Sequence, residues 1–242
     1  MSKVMTTLCA VSCASLILFV GAGQVQAQFV ETFEGLNNGD GVANLPNWAG
    51  NAVADQYAEL GGNRGISGTT TSATYDLAGS GNLPQGSDPF YEISWDAYIF
   101  SGFTNQYAQG RSPSARLFEM HYSTGNDWMF RTFDAGGGQV FNSGNITDLG
   151  PNITGPRSMV VRIDPTAGTA QGIVRQQGLP DLDMGTGPFL VADMDRLHYG
   201  FSGGSPAQLD TLSVIVPEPS TMMLAGAGLF GLTLGWRRRR NR

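Results

Sequence analysis

The segment Tyr91–Ile99 constrains the fold of this chain more than any other stretch. Its odd-numbered residues are apolar, whereas Glu92, Ser94 and Asp96 between them are polar. Because side chains alternate between the two faces of a β-strand, the segment is predicted to be a strand with one buried face. Clusters of Gly, Asn, Ser and Thr recur on both sides of it and indicate turns. We therefore expect short antiparallel strands.

Further segments have strand character, and no convincing helix lies between them. Including the central segment, the predicted strands are Gln28–Phe33, Gln56–Leu60, Ala73–Leu77, Phe90–Phe100, Ala115–Tyr122, Trp128–Phe133, Gln139–Asn142, Ser158–Ile163, Ala170–Arg175, Arg196–Ser202 and Gln208–Val216. So many short strands predict an all-β fold, an antiparallel two-sheet jelly-roll sandwich.

The N-terminus has the order of a secretory signal peptide. Lys3 supplies a positive charge, Leu8–Gly23 is almost wholly apolar or small, and Val25–Ala27 has small or short residues where a signal peptidase reads. We predict cleavage after Ala27, so that the mature chain begins at Gln28. A retained N-terminal membrane anchor is the alternative, and the short apolar run favours removal.

The composition of the predicted mature domain, residues 28–216, excludes several functions. Both cysteines, Cys9 and Cys13, precede it, so it has neither disulfides nor thiol chemistry. It holds 8 arginines and 19 acidic residues, a net charge of −11. Such a charge repels nucleic acid and anionic lipid, so neither is expected as a partner.

The C-terminus is arranged in three parts. Pro217, Glu218 and Pro219 end any preceding strand. An uncharged run, Thr221–Trp236, follows and is about 24 Å long as a helix. Four arginines come last: Arg237, Arg238, Arg239 and Arg240. Clustered arginine beside an apolar helix stays cytoplasmic, so the domain is expected on the other side of the membrane.

The three parts, in this order, resemble the PEP-CTERM sorting signal over Val216–Arg242. The resemblance implies recognition by an exosortase, a membrane-bound cysteine transpeptidase-like enzyme. That enzyme would cut near Pro217–Pro219 and release the domain to the cell surface or an exopolysaccharide-rich matrix. The tail would anchor the chain in the inner membrane until then. A plain single-span anchor is the alternative.

A second resemblance concerns the domain itself. Phe33–Leu36, Leu45–Trp48, Arg64–Ser67, the Ile163–Gly168 hairpin and the closing strand Leu209–Val214 are similar in layout to concanavalin A-like, laminin-G-type domains. The resemblance implies a fold used for sugar binding, adhesion and some glycanases. A fold does not choose among these functions.

Glu92 and Asp96 are the candidates for glycoside hydrolysis. Jelly-roll glycanases similar to laminarinases carry three acids at alternate positions of one strand, whereas Ser94 replaces the middle acid here. Glu92 and Asp96 lie about 13 Å apart along a strand, more than the ~5 to ~9.5 Å that glycosidase carboxyl pairs need. The polar face of a half-solvated strand is the favoured interpretation.

Two Asp-x-Asp pairs are candidates for a calcium site. Calcium takes several oxygen ligands from loops, and Asp181, Asp183, Asp193 and Asp195 flank a Gly-Pro stretch. Neither pair matches a full calcium-loop pattern. Ordinary turn residues are therefore the competing interpretation.

Aromatic residues beside amides are candidates for sugar contact. Phe103 and Tyr107 belong to a segment that we expect to be a loop, and Trp128 follows Asn126 and Asp127. Rings and amides together suit small polar ligands. Packing in the core is the competing interpretation, above all for Trp128.

The favoured function is an exported, non-catalytic surface or matrix protein with a carbohydrate-binding or adhesive domain. A glycan hydrolase or lyase and a purely structural matrix component are the alternatives. The expected partners are signal peptidase and an exosortase during export, and polysaccharide afterwards. No nucleophile elbow, phosphate loop or histidine–carboxylate relay is visible in the sequence.

Overall fold

Fourteen β-strands dominate the computed structural model, which describes residues 26–60, 62–80, 90–99, 104–123, 125–147, 154–189 and 194–216. The strands are β1 (Gln26–Glu31), β2 (Trp48–Gly50), β3 (Val53–Gln56), β4 (Arg64–Asp76), β5 (Tyr91–Ile99), β6 (Thr104–Arg111), β7 (Arg116–Tyr122), β8 (Asp127–Phe133), β9 (Gln139–Asn142), β10 (Ile146–Thr147), β11 (Gly155–Asp164), β12 (Thr169–Gln176), β13 (Leu182–Pro188) and β14 (Arg196–Val216). Short 3-10 turns lie at Val42–Asn44 and Ala58–Leu60, and a helical turn lies at Leu77–Ser80.

The strands form two antiparallel sheets that are continuous through β4 and β14. The first sheet has the order β10-β8-β7-β6-β14-β4-β2, with β9 also pairing with β8. The second sheet has the order β13-β12-β11-β5-β14-β4-β3. The prediction of an all-β, antiparallel two-sheet sandwich is confirmed.

Strand β14 is 21 residues long and takes part in both sheets. Its first part, Arg196–Gly203, pairs with β6, and its second part, Gln208–Ile215, pairs with β5. The register of β14 against β4 shifts between Ser202 and Ala207. Because such irregularities bend a strand, this is where β14 passes from one sheet to the other.

Aromatic side chains fill the space between the sheets. Trp95 of β5 packs edge-to-face on Phe118 of β7, with ring centroids 6.0 Å apart. Phe118 also contacts Phe189, at 5.8 Å. Every odd-numbered residue of β5 is buried, as its alternation predicts. Of the residues between them, Glu92, Asp96 and Tyr98 are half-buried, whereas Ser94 is buried and hydrogen-bonds with Ser213.

The strand predictions were wrong in several places: β2, β10 and β13 were not predicted, and Ala73–Leu77 covers only the end of β4. Gln56–Leu60 is the end of β3 followed by a 3-10 turn, and Arg196–Ser202 and Gln208–Val216 are parts of one strand. The segment expected to be a loop around Tyr107 is strand β6. Its sequence is polar, but β7 and β14 pair with it on both sides, and such pairing overrides weak strand propensity.

The predicted signal peptide and sorting tail lie outside the described residues, apart from Gln26 and Ala27. Strand β1 begins at Gln26, so the predicted cut after Ala27 falls within it. Residues Ala27–Val216 form one compact unit.

Candidate functional site

The outer face of the first sheet carries an open groove of about 550 Å³. Strands β6, β7, β8 and the first part of β14 supply its side chains. They combine one tyrosine and two histidine rings with amides, charged groups, a methionine and a serine: Asn105, Tyr107, Gln109, Arg111, Arg116, Glu119, His121, Met129, Arg131, His198 and Ser202. We call this surface the β6–β8 groove.

The antiparallel register brings the polar residues of four strands into a row. Gln109 of β6 lies opposite His198 of β14 on one side and Glu119 of β7 on the other. Glu119 in turn lies opposite Arg131 of β8. Directly opposed side chains in an antiparallel sheet lie within contact distance. The row therefore forms a continuous polar strip across the groove.

Glu119 is the hub of this strip and is only 5% exposed. Its Oε2 atom accepts hydrogen bonds from Gln109 Nε2 at 2.6 Å and Arg116 Nη1 at 2.8 Å. Its Oε1 atom accepts one from Arg131 Nη1 at 3.4 Å. Because the three donors converge on one carboxylate, Glu119 fixes two arginines and an amide in the groove.

Tyr107 lies beside the strip, and the glycine opposite it sets its position. A Cβ atom on Gly200 would overlap the Tyr107 ring, so the ring can lie across β14 only because residue 200 is glycine. The ring stacks with that of His198 at a centroid distance of 5.7 Å and an angle of 24°. The Tyr107 hydroxyl forms no hydrogen bond with any residue that the structure describes.

Both histidines of the groove favour the neutral form. Burial, helped by the charge of Arg111, lowers the pKa of His198 to about 4. Burial also lowers the pKa of His121, with Glu119 opposing the shift and Arg131 adding to it. The His198 Nδ1 atom lies 2.8 Å from Thr74 Oγ1. At neutral pH the charge of the groove therefore comes from its arginines and Glu119.

The outer face of the second sheet carries a different set of charges. Glu92 accepts hydrogen bonds from Arg162 Nε at 2.9 Å and from two nitrogens of Arg175 at 2.7 and 2.9 Å. Burial alone would raise the pKa of Glu92, but the hydrogen bonds from Arg175 and Arg162 outweigh it and lower the pKa. A carboxylate held ionised in this way is a poor proton donor. This pairing argues against the hydrolase interpretation of Glu92.

Asp96 faces a separate pocket of about 420 Å³ on this second face. Burial raises the pKa of Asp96, against a hydrogen bond from Ser158 and the charge of Arg175. Asp210 lines the same pocket, and burial, Asp96 and Glu34 raise its pKa to about 6. Partial burial is the main cause of both shifts, and nearby carboxylates add to that of Asp210.

The three residues predicted to contact sugar have different positions relative to the β6–β8 groove. Tyr107 is half-buried and lines the β6–β8 groove. Trp128 is 0% exposed and packs against Tyr122 with centroids 4.8 Å apart. Because a buried ring offers no face to a ligand, Trp128 is corrected from a sugar contact to a core residue. Phe103 lies outside the described residues.

The predicted calcium ligands make other contacts where they are described. Asp183 belongs to β13 rather than to a loop, and its Oδ1 accepts the Gly185 N–H at 2.8 Å. Asp195 pairs with Arg196 at 2.9 Å, and Asp181 lies 3.8 Å from Arg175. Asp193 lies outside the described residues. Among the described residues, no group of three or more His, Cys, Asp or Glu side chains is placed to hold a metal ion.

Sequence reasoning missed most of the groove residues. Glu119 and His121 alternate with Phe118, Met120 and Tyr122, so the sequence pattern could have predicted a polar outer face of β7. The position of Arg131 opposite Glu119 could not be predicted, because it depends on the register between strands.

Solved structures show similarity in fold at low sequence identity. A CBM2 module from the evolved Dit protein of Lactobacillus casei BL23 phage J-1 has a TM-score of 0.50 and 12% identity, covering 79% of this chain and 96% of that one. A sialidase has a TM-score of 0.50 and 10% identity, covering 81% of this chain but 19% of its own. A legume lectin-like domain from Entamoeba histolytica has a TM-score of 0.47 and 8% identity, covering 69% and 89%.

The sequence comparisons identify the C-terminal segment. No curated protein sequence matches the chain. Among the described residues, no helix has the length and apolar character needed to cross a membrane. Residues 216–240 match the PEP-CTERM protein-sorting motif. The chain thus carries a sorting signal that indicates export to the cell surface, joined to an antiparallel β-sandwich.

Proposed function

We propose that the domain is a non-catalytic glycan-binding module and that the β6–β8 groove is its binding site. The observation that carries the proposal is the position of Tyr107. Its ring is held across Gly200 and its hydroxyl is free of hydrogen bonds to described residues. A fixed ring face beside amide and guanidinium donors is the arrangement that stacks on a sugar ring and hydrogen-bonds its hydroxyls.

The polar strip supports the same proposal. Gln109, Glu119 and Arg131 are held by one another rather than by solvent, so they are ordered before a ligand arrives. Such preorganisation lowers the entropy that binding must overcome. The lectin-like and carbohydrate-binding-module folds of the similar structures are consistent with this proposal.

Tyr107→Ala tests the proposal directly. Binding of the purified protein to a glycan array, with and without calcium, is compared with binding by Tyr98→Ala, a control tyrosine on the outer side of β5. We expect Tyr107→Ala to weaken binding about tenfold or more, the effect of one lost stacking contact, and Tyr98→Ala to leave it unchanged. Equal binding by both variants would place the site elsewhere.

A catalytic role is the alternative. Incubating the protein with each polysaccharide that it binds, and measuring new reducing ends and unsaturated uronate, distinguishes binding from hydrolysis and elimination. We expect neither product. Self-assembly of the purified protein with no glycan bound would instead favour the structural matrix role.

We also propose that the exported chain passes through an exosortase, which cuts near Pro217–Pro219 after transient anchoring in the inner membrane. The match at residues 216–240 supports this step. Replacing Arg237–Arg240 with serine should block processing, and fractionation should then find the uncut chain in the membrane or the medium. Unchanged processing of that variant would contradict the proposal.

A further inference from the structure

We propose that the ligand of the β6–β8 groove is an anionic sugar chain, whose carboxylate or sulfate groups bind Arg111, Arg116 and Arg131. This inference rests on the proposed glycan-binding function and adds the chemical class of the glycan. The charges of the groove carry it.

The groove is a positive site on an acidic domain. Residues 28–216 contain 8 arginines and 19 acidic residues. Three of those arginines line the groove, together with one acid, Glu119. Since His121 and His198 favour the neutral form, the groove carries an excess of two positive charges in a domain whose net charge is −11. A local potential of opposite sign to the whole molecule attracts an anion to that place.

Three arginines on neighbouring strands of the first sheet also lie opposite one another, so their like charges repel. Arg111 of β6 lies directly opposite Arg116 of β7 in the register, and Arg196 of β14 lies opposite Arg111 on its other side. Like charges directly across a pair of strands destabilise a sheet. Arg196 is neutralised by Asp195, with two hydrogen bonds of 2.9 and 3.0 Å. Arg111 forms no ion pair with any described residue, so an anion from outside would relieve the repulsion.

Donor nitrogens remain available for that anion. Arg116 and Arg131 each use only Nη1 to reach Glu119. The side chains of Arg116 and Arg131 are 44% and 27% exposed, so their other nitrogens can be reached from the groove. A guanidinium group binds carboxylate or sulfate through two nitrogens at once, and the resulting charge-assisted bonds are strong.

The spacing indicates a chain rather than a single sugar. Tyr107 and Arg111 are on the same face of β6 and four residues apart, about 13 Å along the strand. Gln109 lies between them. That distance exceeds the width of one sugar ring. A ligand that stacks on Tyr107 and pairs with Arg111 is therefore an oligosaccharide or polysaccharide.

The experiment compares anionic chains with matched neutral ones. Polygalacturonate and dextran sulfate are titrated into the purified protein by calorimetry, beside methyl-esterified polygalacturonate and dextran. We expect at least one anionic chain to bind ten or more times tighter than its neutral partner. Raising the salt concentration should weaken that binding, because the pairing is electrostatic. Relative affinity for the two anionic chains identifies carboxylate or sulfate as the preferred group.

The variants locate the site. Arg111→Gln should weaken binding of the anionic chain about tenfold, the effect of one lost charge-assisted pair, without lowering the melting temperature. Arg162→Gln, on the opposite face, should bind as the wild type does. Preference for the neutral chains, or equal losses in the two variants, would overturn the inference while leaving glycan binding standing. Absence of binding to any chain on the array or in the calorimeter would overturn both proposals.

Discussion

The two outer faces of the sandwich differ in how their arginines are paired with carboxylates. On the second sheet, Arg162 and Arg175 both donate to Glu92, and Arg175 also lies 3.8 Å from Asp181. On the first sheet, Arg116 and Arg131 share the single carboxylate of Glu119, and Arg111 pairs with no described carboxylate. One face has its positive charge neutralised internally, and the other keeps an excess.

The two faces show how charge that is paired within the fold differs from charge that can bind a ligand. Both faces come from the same alternation of buried and exposed positions, so strand pattern alone cannot distinguish them. The distinguishing feature is an arginine without a carboxylate: Arg111 has no ion-pair partner among the described residues, whereas Arg162 and Arg175 both pair with Glu92. A face whose charges are paired needs no ligand, whereas an unpaired excess is retained at an energetic cost and points to a binding site.

Replacing the central carboxylate of each face, Glu119 or Glu92, should give the largest difference in the free energy of unfolding. Glu119→Gln should lower the free energy of unfolding by about 3 kcal/mol, because it removes the carboxylate that Arg116 and Arg131 share. Glu92→Gln should lower it by about 1 kcal/mol, because Asp181 still faces Arg175 and the arginines are partly exposed. Urea denaturation of the two variants measures both values. Equal losses would show that the faces do not differ in this respect.

The pH dependence of His198 gives the next largest effect. Its pKa is about 4 when folded and near 6.5 when unfolded, so its stabilising contribution is present above pH 6.5 and is lost as the pH falls toward 4. We expect the wild type to lose about 2 kcal/mol more than His198→Gln between pH 7 and pH 4. Parallel pH profiles for the two proteins would contradict a neutral, buried His198.

Gly200 tests how the groove holds its aromatic ring. Gly200→Ala should lower the free energy of unfolding by between about 1 and 2 kcal/mol, because the added methyl group displaces the Tyr107 ring. The same change in a Tyr107→Ala background should have less than about half of that effect. A double-mutant cycle by thermal denaturation measures the coupling. Additive effects would mean that the ring does not lie across Gly200.

Asp210, on the second face, should give the smallest effect on the free energy of unfolding. Its pH dependence has the opposite sign to that of His198. Its folded pKa is raised to about 6, so the unfolded state gives up its proton first and stability falls as the pH rises from about 4 to 6. Asp210→Asn should therefore stabilise the protein at pH 8 by about 1 kcal/mol, after allowance for solvent screening. Below about pH 4 the gain should vanish. An equal gain at both pH values would indicate a cause other than ionisation.

The sequence predicted the sandwich because the fold depends on local alternation. Strand β5 shows this well, since each of its odd-numbered residues is buried as expected. Strand β6 was missed because most of its residues, such as Asn105, Gln106, Gln109 and Gly110, carry little strand propensity. It exists because two neighbours pair with it, and that information lies far away in the sequence.

The groove was predictable only in part, for a related reason. Tyr107 was recognised by its type and neighbours, and it lines the groove. Trp128 was chosen by the same reasoning, but it is buried, because its position on β8 faces inward. Glu119 and Arg131 could not be predicted as a pair, because their contact depends on the register between β7 and β8, which one sequence does not reveal.

Strand β14 also determines how the domain responds to being pulled. Val216 is its last residue, so tension applied to the chain beyond that point is transmitted along β14 first. The strand is paired with β4, β5 and β6 in two sheets, so a load directed along it would act on all three sets of hydrogen bonds. Many hydrogen bonds must then yield together rather than one after another. The domain is thereby suited to staying folded under a mechanical load at its C-terminal end, where the rate of forced unfolding decides survival.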